Sequence, residues 1–153
     1  MATPKVPLAD LLNEGSIERV EKDTVNGFAF LEQAERHIGT ARAAVELEDY
    51  EGALSMAYSA CRKCCLALLH VVGFRPTGDA THATTFIAAA AIADNFGARH
   101  LVDDAHDLRL ARHNTEYRAT AADPADASDA IEIAVELRSS LHSQVNRIAD
   151  ATS

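Results

Sequence analysis

Residues 24–72 read TVNGFAFLEQAERHIGTARAAVELEDYEGALSMAYSACRKCCLALLHVV, and this stretch decides the fold. In its first half Leu31, Ala34, Ile38, Ala41 and Val45 recur at spacings of 3, 4, 3 and 4, which is one face of an α-helix. In its second half Leu54, Ala57, Tyr58, Cys61, Cys65, Leu68 and Val72 form a second such stripe. Thr24 is placed to cap the first helix, which is expected to end at Glu48, and Asp49 to cap the second. Two striped helices with almost no linker can bury their apolar faces only by folding back as an antiparallel αα-hairpin.

Working outward, the same logic gives an all-α protein of five main helices and a short leader. Upstream, Leu8–Asn13 can form a turn or two before Gly15, and Ser16–Val20 is short and irregular. Downstream, Gly73, Pro76 and Gly78 mark a loop. An Ala-rich third helix is expected over about His82–Asn95, with Gly97 as its terminator. A fourth runs over about Arg99–Ala119, followed by a connector at Thr120–Ala122. Asp123-Pro124 supplies a cap and a first-turn proline for the last helix, which packs through Ile131, Ala134, Leu137, Leu141, Val145 and Ile148. No alternating run is long enough to argue for a strand, and no internal repeat is visible. The expected organisation is a leader over 1–23, a helical-bundle domain over 24–149 and a frayed tail over 150–153.

Composition bounds the function. A chain of 153 residues buries roughly 70% of its unfolded surface, enough for a core without staples. A net charge of −9 excludes broad, sequence-independent binding to duplex nucleic acid, which needs an extended basic face, but leaves room for a small basic pocket. No apolar run approaches the ~18 residues of a membrane span. The first residues carry no apolar leader segment, so a cytoplasmic protein with reduced thiols is expected, and no membrane partner.

Several metal and redox readings can be weighed on spacing. Cys61-Arg62-Lys63-Cys64-Cys65 resembles a CxxC, but a structural zinc site needs four ligands and no second pair exists. Cys61 and Cys65 lie on the packing stripe and read as small core residues. The seven histidines form neither HxxxH nor Glu-x-x-His pairs and read mostly as surface residues; His82 simply opens a helix. Neither a metal nor another cofactor is expected.

The fourth helix holds the anomaly. Leu101, Ala105 and Leu108 form an ordinary apolar stripe, and the next position on it, four further on, is Arg112. A core face that ends in a guanidinium requires pairing and hydrogen bonding. Arg109, His113 and Tyr117 follow one helical line beside it, and Glu116 is spaced to pair with Arg112. An arginine fixed in this way can bind a phosphate bidentately, and a tyrosine beside it can stack on a base. The competing reading is an internal Arg–Glu–Tyr network that orders the end of a helix.

Three segments in this order resemble HEPN (higher eukaryotes and prokaryotes nucleotide-binding) domains, an uncharacterised prokaryotic subfamily in particular. They are Ala34-x-x-His37-x-x-x-Ala41-x-x-Ala44 with Glu48–Ala53, Ala57–Ala60 leading to Ala67-Leu68-Leu69, Gly73 and His82, and Leu108-x-x-x-Arg112-x-x-x-Glu116-Tyr117. The leader over Leu11–Ile17 adds to the likeness, which spans about residues 8–148. The resemblance implies an up-down bundle of four to five helices forming a homodimer. It also implies RNA or a nucleotide as ligand at the dimer cleft, a toxin–antitoxin or defence context, and a cognate nucleotidyltransferase or antitoxin protein as partner.

Many members of the family are metal-independent ribonucleases whose motif is Arg, four intervening residues, then His. Arg112 matches the Arg, and Tyr117 stands where the His would be. Arg112, Tyr117 and, as a substitute, His113 are the catalytic candidates; Arg109, Arg112, Glu116 and Tyr58 are the phosphate-binding ones. A tyrosine with an ordinary pKa near 10 is a poor general base at neutral pH, so the resemblance implies a binding protein with catalysis weakened or lost. A purely structural or partner-binding bundle and an active ribonuclease are the two alternatives.

Overall fold

Asp49 ends the turn of the central hairpin and starts its second helix. Its carboxylate accepts a hydrogen bond from the Gly52 N–H at 2.9 Å, one of the first-turn donors that a helix cannot satisfy itself. The computed structural model describes residues 3–117 and 121–152, with the side chains of Glu116, Tyr117 and Thr152 outside that description. Its elements in chain order are α1 (Leu8–Asn13), β1 (Ile17–Arg19), α2 (Thr24–Glu46), α3 (Tyr50–Val72), β2 (Phe74–Pro76), α4 (Thr81–Ala93), a 3-10 turn (Asp94–Phe96), α5 (Arg99–Tyr117) and α6 (Pro124–Thr152). The architecture is the expected all-α bundle. α2 and α3 form the αα-hairpin, and α3 is also packed against α4, α5 and α6.

α3 is therefore the central helix. Besides the expected stripe it buries Ala53, Ala60, Cys64, Leu66, Ala67, Leu69 and Val71, so apolar residues cover most of its circumference, as an enclosed helix requires. Val71 rather than Val72 is the fully enclosed residue at its end. Gly73 closes α3 in a left-handed conformation (φ 98°).

Local differences from expectation have local causes. α2 is capped one residue earlier than expected: the Asp23 carboxylate accepts from the Asn26 N–H at 2.8 Å, leaving Thr24 as the first helical residue. α4 stops at Ala93, and Gly97 (φ 74°) terminates the following 3-10 turn. At α6, Asp123 accepts from the Asp126 N–H (2.8 Å) while Asp126 accepts from the Asp123 N–H (3.1 Å), a reciprocal cap around Pro124. α6 continues to Thr152, past the last residue of its apolar stripe. The expected end of the fourth helix at Ala119 and the start of the connector at Thr120 lie outside the described residues.

The expectation of no strand is corrected. β1 and β2 pair antiparallel with Glu18 opposite Arg75, and the two side chains form an ion pair. Strands of three residues are too short to show alternation. Ile17 and Phe74 are buried, so the small sheet pins the leader against the loop that follows α3.

The hairpin is tight at Gly27. A Cβ there would lie 2.4 Å from Val71 Cγ2 and 3.3 Å from the Ala67 carbonyl oxygen. Gly27→Ala should therefore cost about 1–2 kcal/mol, because overpacking in a core outweighs the ~1 kcal/mol helix-propensity gain. Urea denaturation of the two proteins checks this; a variant more stable than the parent would contradict the close approach.

Candidate functional site

The charge that interrupts the apolar stripe of α5 is accommodated at the wall of a cleft. Leu101 is half-buried, Ala105 and Leu108 are buried, and Arg112 is half-buried. The Arg112 guanidinium lies over the ring of Tyr58 on α3, 5.2 Å from its centroid. Its Nε donates to Ser55 Oγ, also on α3, at 3.3 Å. A guanidinium held over an aromatic face is restrained in orientation, and its planar fork of N–H groups matches the geometry of a phosphate. The Tyr58 ring is almost fully buried at 1% exposure, so the platform beneath the guanidinium is fixed by the core.

Phe86 supports that platform from α4. It is fully buried, 5.7 Å from the Tyr58 ring and stacked on His106 of α5 at 5.0 Å. Tyr58, Phe86 and His106 thus join the three helices behind the cleft. The Tyr58 hydroxyl meets Nδ1 of His82, a lining residue of the cleft, at 3.2 Å. The cleft has a volume of about 790 Å³, and Arg109, Arg112 and His113 line it from α5. Thr81, His82 and Ala83 line it from the first turn of α4, a turn with no side-chain cap. Uncapped first-turn N–H groups favour an anion.

The electrostatics of the cleft come from guanidinium groups. Partial desolvation first, then the Arg62, Arg112 and Arg109 charges, hold the His82 pKa below its ordinary value. Burial and then Arg109 depress His106. Burial raises the Tyr58 phenol against the pull of Arg109, Arg112 and Arg62. At neutral pH both imidazoles are therefore neutral and the phenol keeps its proton. Arg62 stands four residues after Tyr58 on α3, and its buried Nε has no hydrogen-bond partner among the described residues. Asp79 and Asp107 are the acidic residues of the lining.

The structure brings together four of the residues singled out in the sequence: Tyr58, Arg109, Arg112 and His113. The other two, Glu116 and Tyr117, have side chains outside the described residues. Sequence reasoning missed Ser55, Arg62, His82, Phe86 and His106. His82 is exposed, as expected of a surface histidine, yet it is bonded to the centre of the site. One signal was available: His106, Arg109 and His113 share a helical face at spacings of 3 and 4.

The cysteines lie elsewhere, in the core. Cys61, Cys64 and Cys65 are buried, and burial pushes their thiols up, that of Cys64 to about 12. They are protonated packing residues, without the thiolate that metal binding or redox exchange needs. Among the described residues no three His, Cys, Asp or Glu side chains are grouped to hold a metal ion, and no helix is long and apolar enough to cross a membrane.

A family model described as HEPN domain matches residues 29–144 of the chain, from α2 into α6. No curated protein and no solved structure shows a significant match.

Proposed function

The chain belongs to the HEPN domain family of helical, nucleotide- or RNA-related domains, and from that premise we propose that it binds phosphate groups of RNA or of a nucleotide in the Arg112 cleft. The observation that carries this reading is the Arg112 guanidinium, half-buried, seated on Tyr58 and tied to Ser55, with Arg109 beside it. A guanidinium held in one orientation offers a planar pair of donors to two phosphate oxygens. The first turn of α4, which has no side-chain cap, lines the same cleft through Thr81, His82 and Ala83. With a net charge of −9, the protein's attraction for polyanions is confined to this local concentration of arginine.

Binding, with catalysis weakened or lost, is the function proposed. General acid–base catalysis contributes about 10²–10⁴-fold and uses a group that titrates near the working pH. Tyr117 at the motif position does not supply one, and His113 follows Arg112 by a single residue, about 100° round the helix. The proposed assembly is a homodimer with the two clefts at its seam. The proposed context is a toxin–antitoxin or defence system, with a cognate nucleotidyltransferase or antitoxin protein as partner. Sedimentation of the pure protein at its single-chain mass of 16.4 kDa would contradict the dimer.

The test of the binding reading is Arg112→Ala against the parent protein, titrated with 5′-AMP and with a short oligoribonucleotide in the presence of EDTA. Loss of binding in the variant supports the reading. Equal binding by both proteins, or none by either, overturns it, and Arg112-dependent cleavage of the oligonucleotide would make the protein a nuclease instead.

A further inference from the structure

We propose that His82 is a phosphate-binding residue of this cleft and that it takes up a proton from solvent when a phosphate anion enters. The inference rests on the phosphate-binding reading above and adds to it a residue outside the Arg112–Tyr117 segment.

The geometry comes first. His82 lines the cleft from the first turn of α4, and Arg109 and Arg112 line it from α5. Its Nδ1 is already engaged with the Tyr58 hydroxyl at 3.2 Å, and Tyr58 is the platform beneath Arg112. That contact fixes one side of the imidazole and leaves Nε2 as the nitrogen available to a ligand. His82 is thereby coupled through one phenol to the residue that carries the proposed binding.

The charges around His82 set its state. Tyr58 and Arg62 face it from α3, and Arg109 and Arg112 from α5. Asp79, His106, Asp107 and His113 line the same cleft. In the empty cleft the three guanidinium groups oppose another positive charge, and partial desolvation acts in the same direction, so the imidazole is neutral at pH 7. A bound phosphate offsets the guanidinium charge and places a negative oxygen within reach, which reverses the balance and favours the imidazolium.

Two arrangements satisfy the 3.2 Å contact: Tyr58 donating to a bare Nδ1, or Nδ1–H donating to the phenol oxygen. Only the second is open to the imidazolium. On protonation Nδ1–H donates to Tyr58, Nε2–H donates to a phosphate oxygen, and the Tyr58 hydrogen is released to turn towards the ligand. The proton comes from water, and no bond to carbon or phosphorus is made or broken. By linkage, binding tightens as pH falls between the His82 pKa in the empty cleft, which lies below 6.5, and its higher value with phosphate bound.

The experiment is calorimetric titration at pH 7 in two buffers of different ionisation enthalpy, which counts protons taken up per ligand. The parent protein and His82→Gln are titrated with an oligoribonucleotide lacking terminal phosphates, and separately with 5′-AMP. The first probe has only internal phosphodiesters, which do not titrate near neutrality; the second has a terminal phosphate that does. The difference between the two proteins isolates His82 for either source of phosphate. The expected result is greater proton uptake on binding in the parent than in His82→Gln, with several-fold of the affinity lost in the variant.

Nitrogen chemical shifts of the His82 ring in the parent protein give a reading independent of the variant. They should move from the neutral to the protonated pattern when the bound probe is added. Binding with equal proton uptake by both proteins, or with a His82 ring that stays neutral, overturns this inference and leaves the Arg112 reading standing. Absence of binding by both probes overturns both.

Discussion

Arg112→Ala should weaken binding of a phosphate-bearing ligand by roughly 10–150-fold, equivalent to the ~1.5–3 kcal/mol of hydrogen bonds to charged groups. Removing the guanidinium takes away the cation that is seated on the Tyr58 ring and hydrogen-bonded to Ser55. Arg109 remains, but it is an exposed residue on the lining and cannot present donors in a fixed orientation. Arg112→Lys should recover only part of the loss, because an ammonium lacks the planar fork. Stability should fall by about 0.5–1 kcal/mol, the scale of one cation–π contact near the surface, so a binding defect in a folded variant is the expected phenotype. Ligand titration followed by fluorescence anisotropy, alongside thermal melting, separates the two effects. Unchanged affinity would remove Arg112 from the site.

Phe86→Ala should have the largest effect on stability, about 3–5 kcal/mol. Phe86 is fully buried and is the shared neighbour of Tyr58 and His106, so its removal opens a cavity where α3, α4 and α5 meet. Neighbouring alanines at 88, 89 and 90 on α4 are too short to collapse into the space. Against a typical total of about 5–15 kcal/mol this leaves a marginal protein. Phe86→Leu, which keeps more of the volume, should lose less than the alanine variant and keep the fold. In that variant the Tyr58 platform loses an aromatic wall, and ligand affinity should fall several-fold although Phe86 is not itself part of the cleft lining. Urea denaturation measures the first effect and anisotropy the second. A loss below 1 kcal/mol in Phe86→Ala would mean that the platform does not rest on this ring.

Much of the fold is written in local patterns. The stripes of α2, α3 and α6 repeat at helical spacing, and Asp49 and Asp123 cap helices where short polar residues precede apolar runs. The end of α4 is not written in this way, since its eight consecutive apolar residues from Phe86 to Ala93 carry no periodicity that marks one. The β1–β2 pair was not visible because each strand has three residues and its partner lies more than fifty residues away.

The site divides in the same way. Arg112 stands out in one dimension because it breaks a stripe, and that break led to the cleft. His82, Ser55 and Arg62 do not, because what makes them part of the site is their approach to α5 and Tyr58 across the bundle, not their spacing. His82 in particular looks like any polar residue at a helix start until the Tyr58 hydroxyl is found beside it.

The most direct measurement is NMR mapping of 5′-AMP on the isotopically labelled protein at low salt, where phosphate contacts are least screened. The account predicts saturable shifts clustered at Tyr58, Arg62, His82, Arg109 and Arg112, drawn from three helices that meet only in the fold. Shifts confined to the α2–α6 groove around Arg42 and Arg138, or no saturable shifts at millimolar ligand, would contradict it.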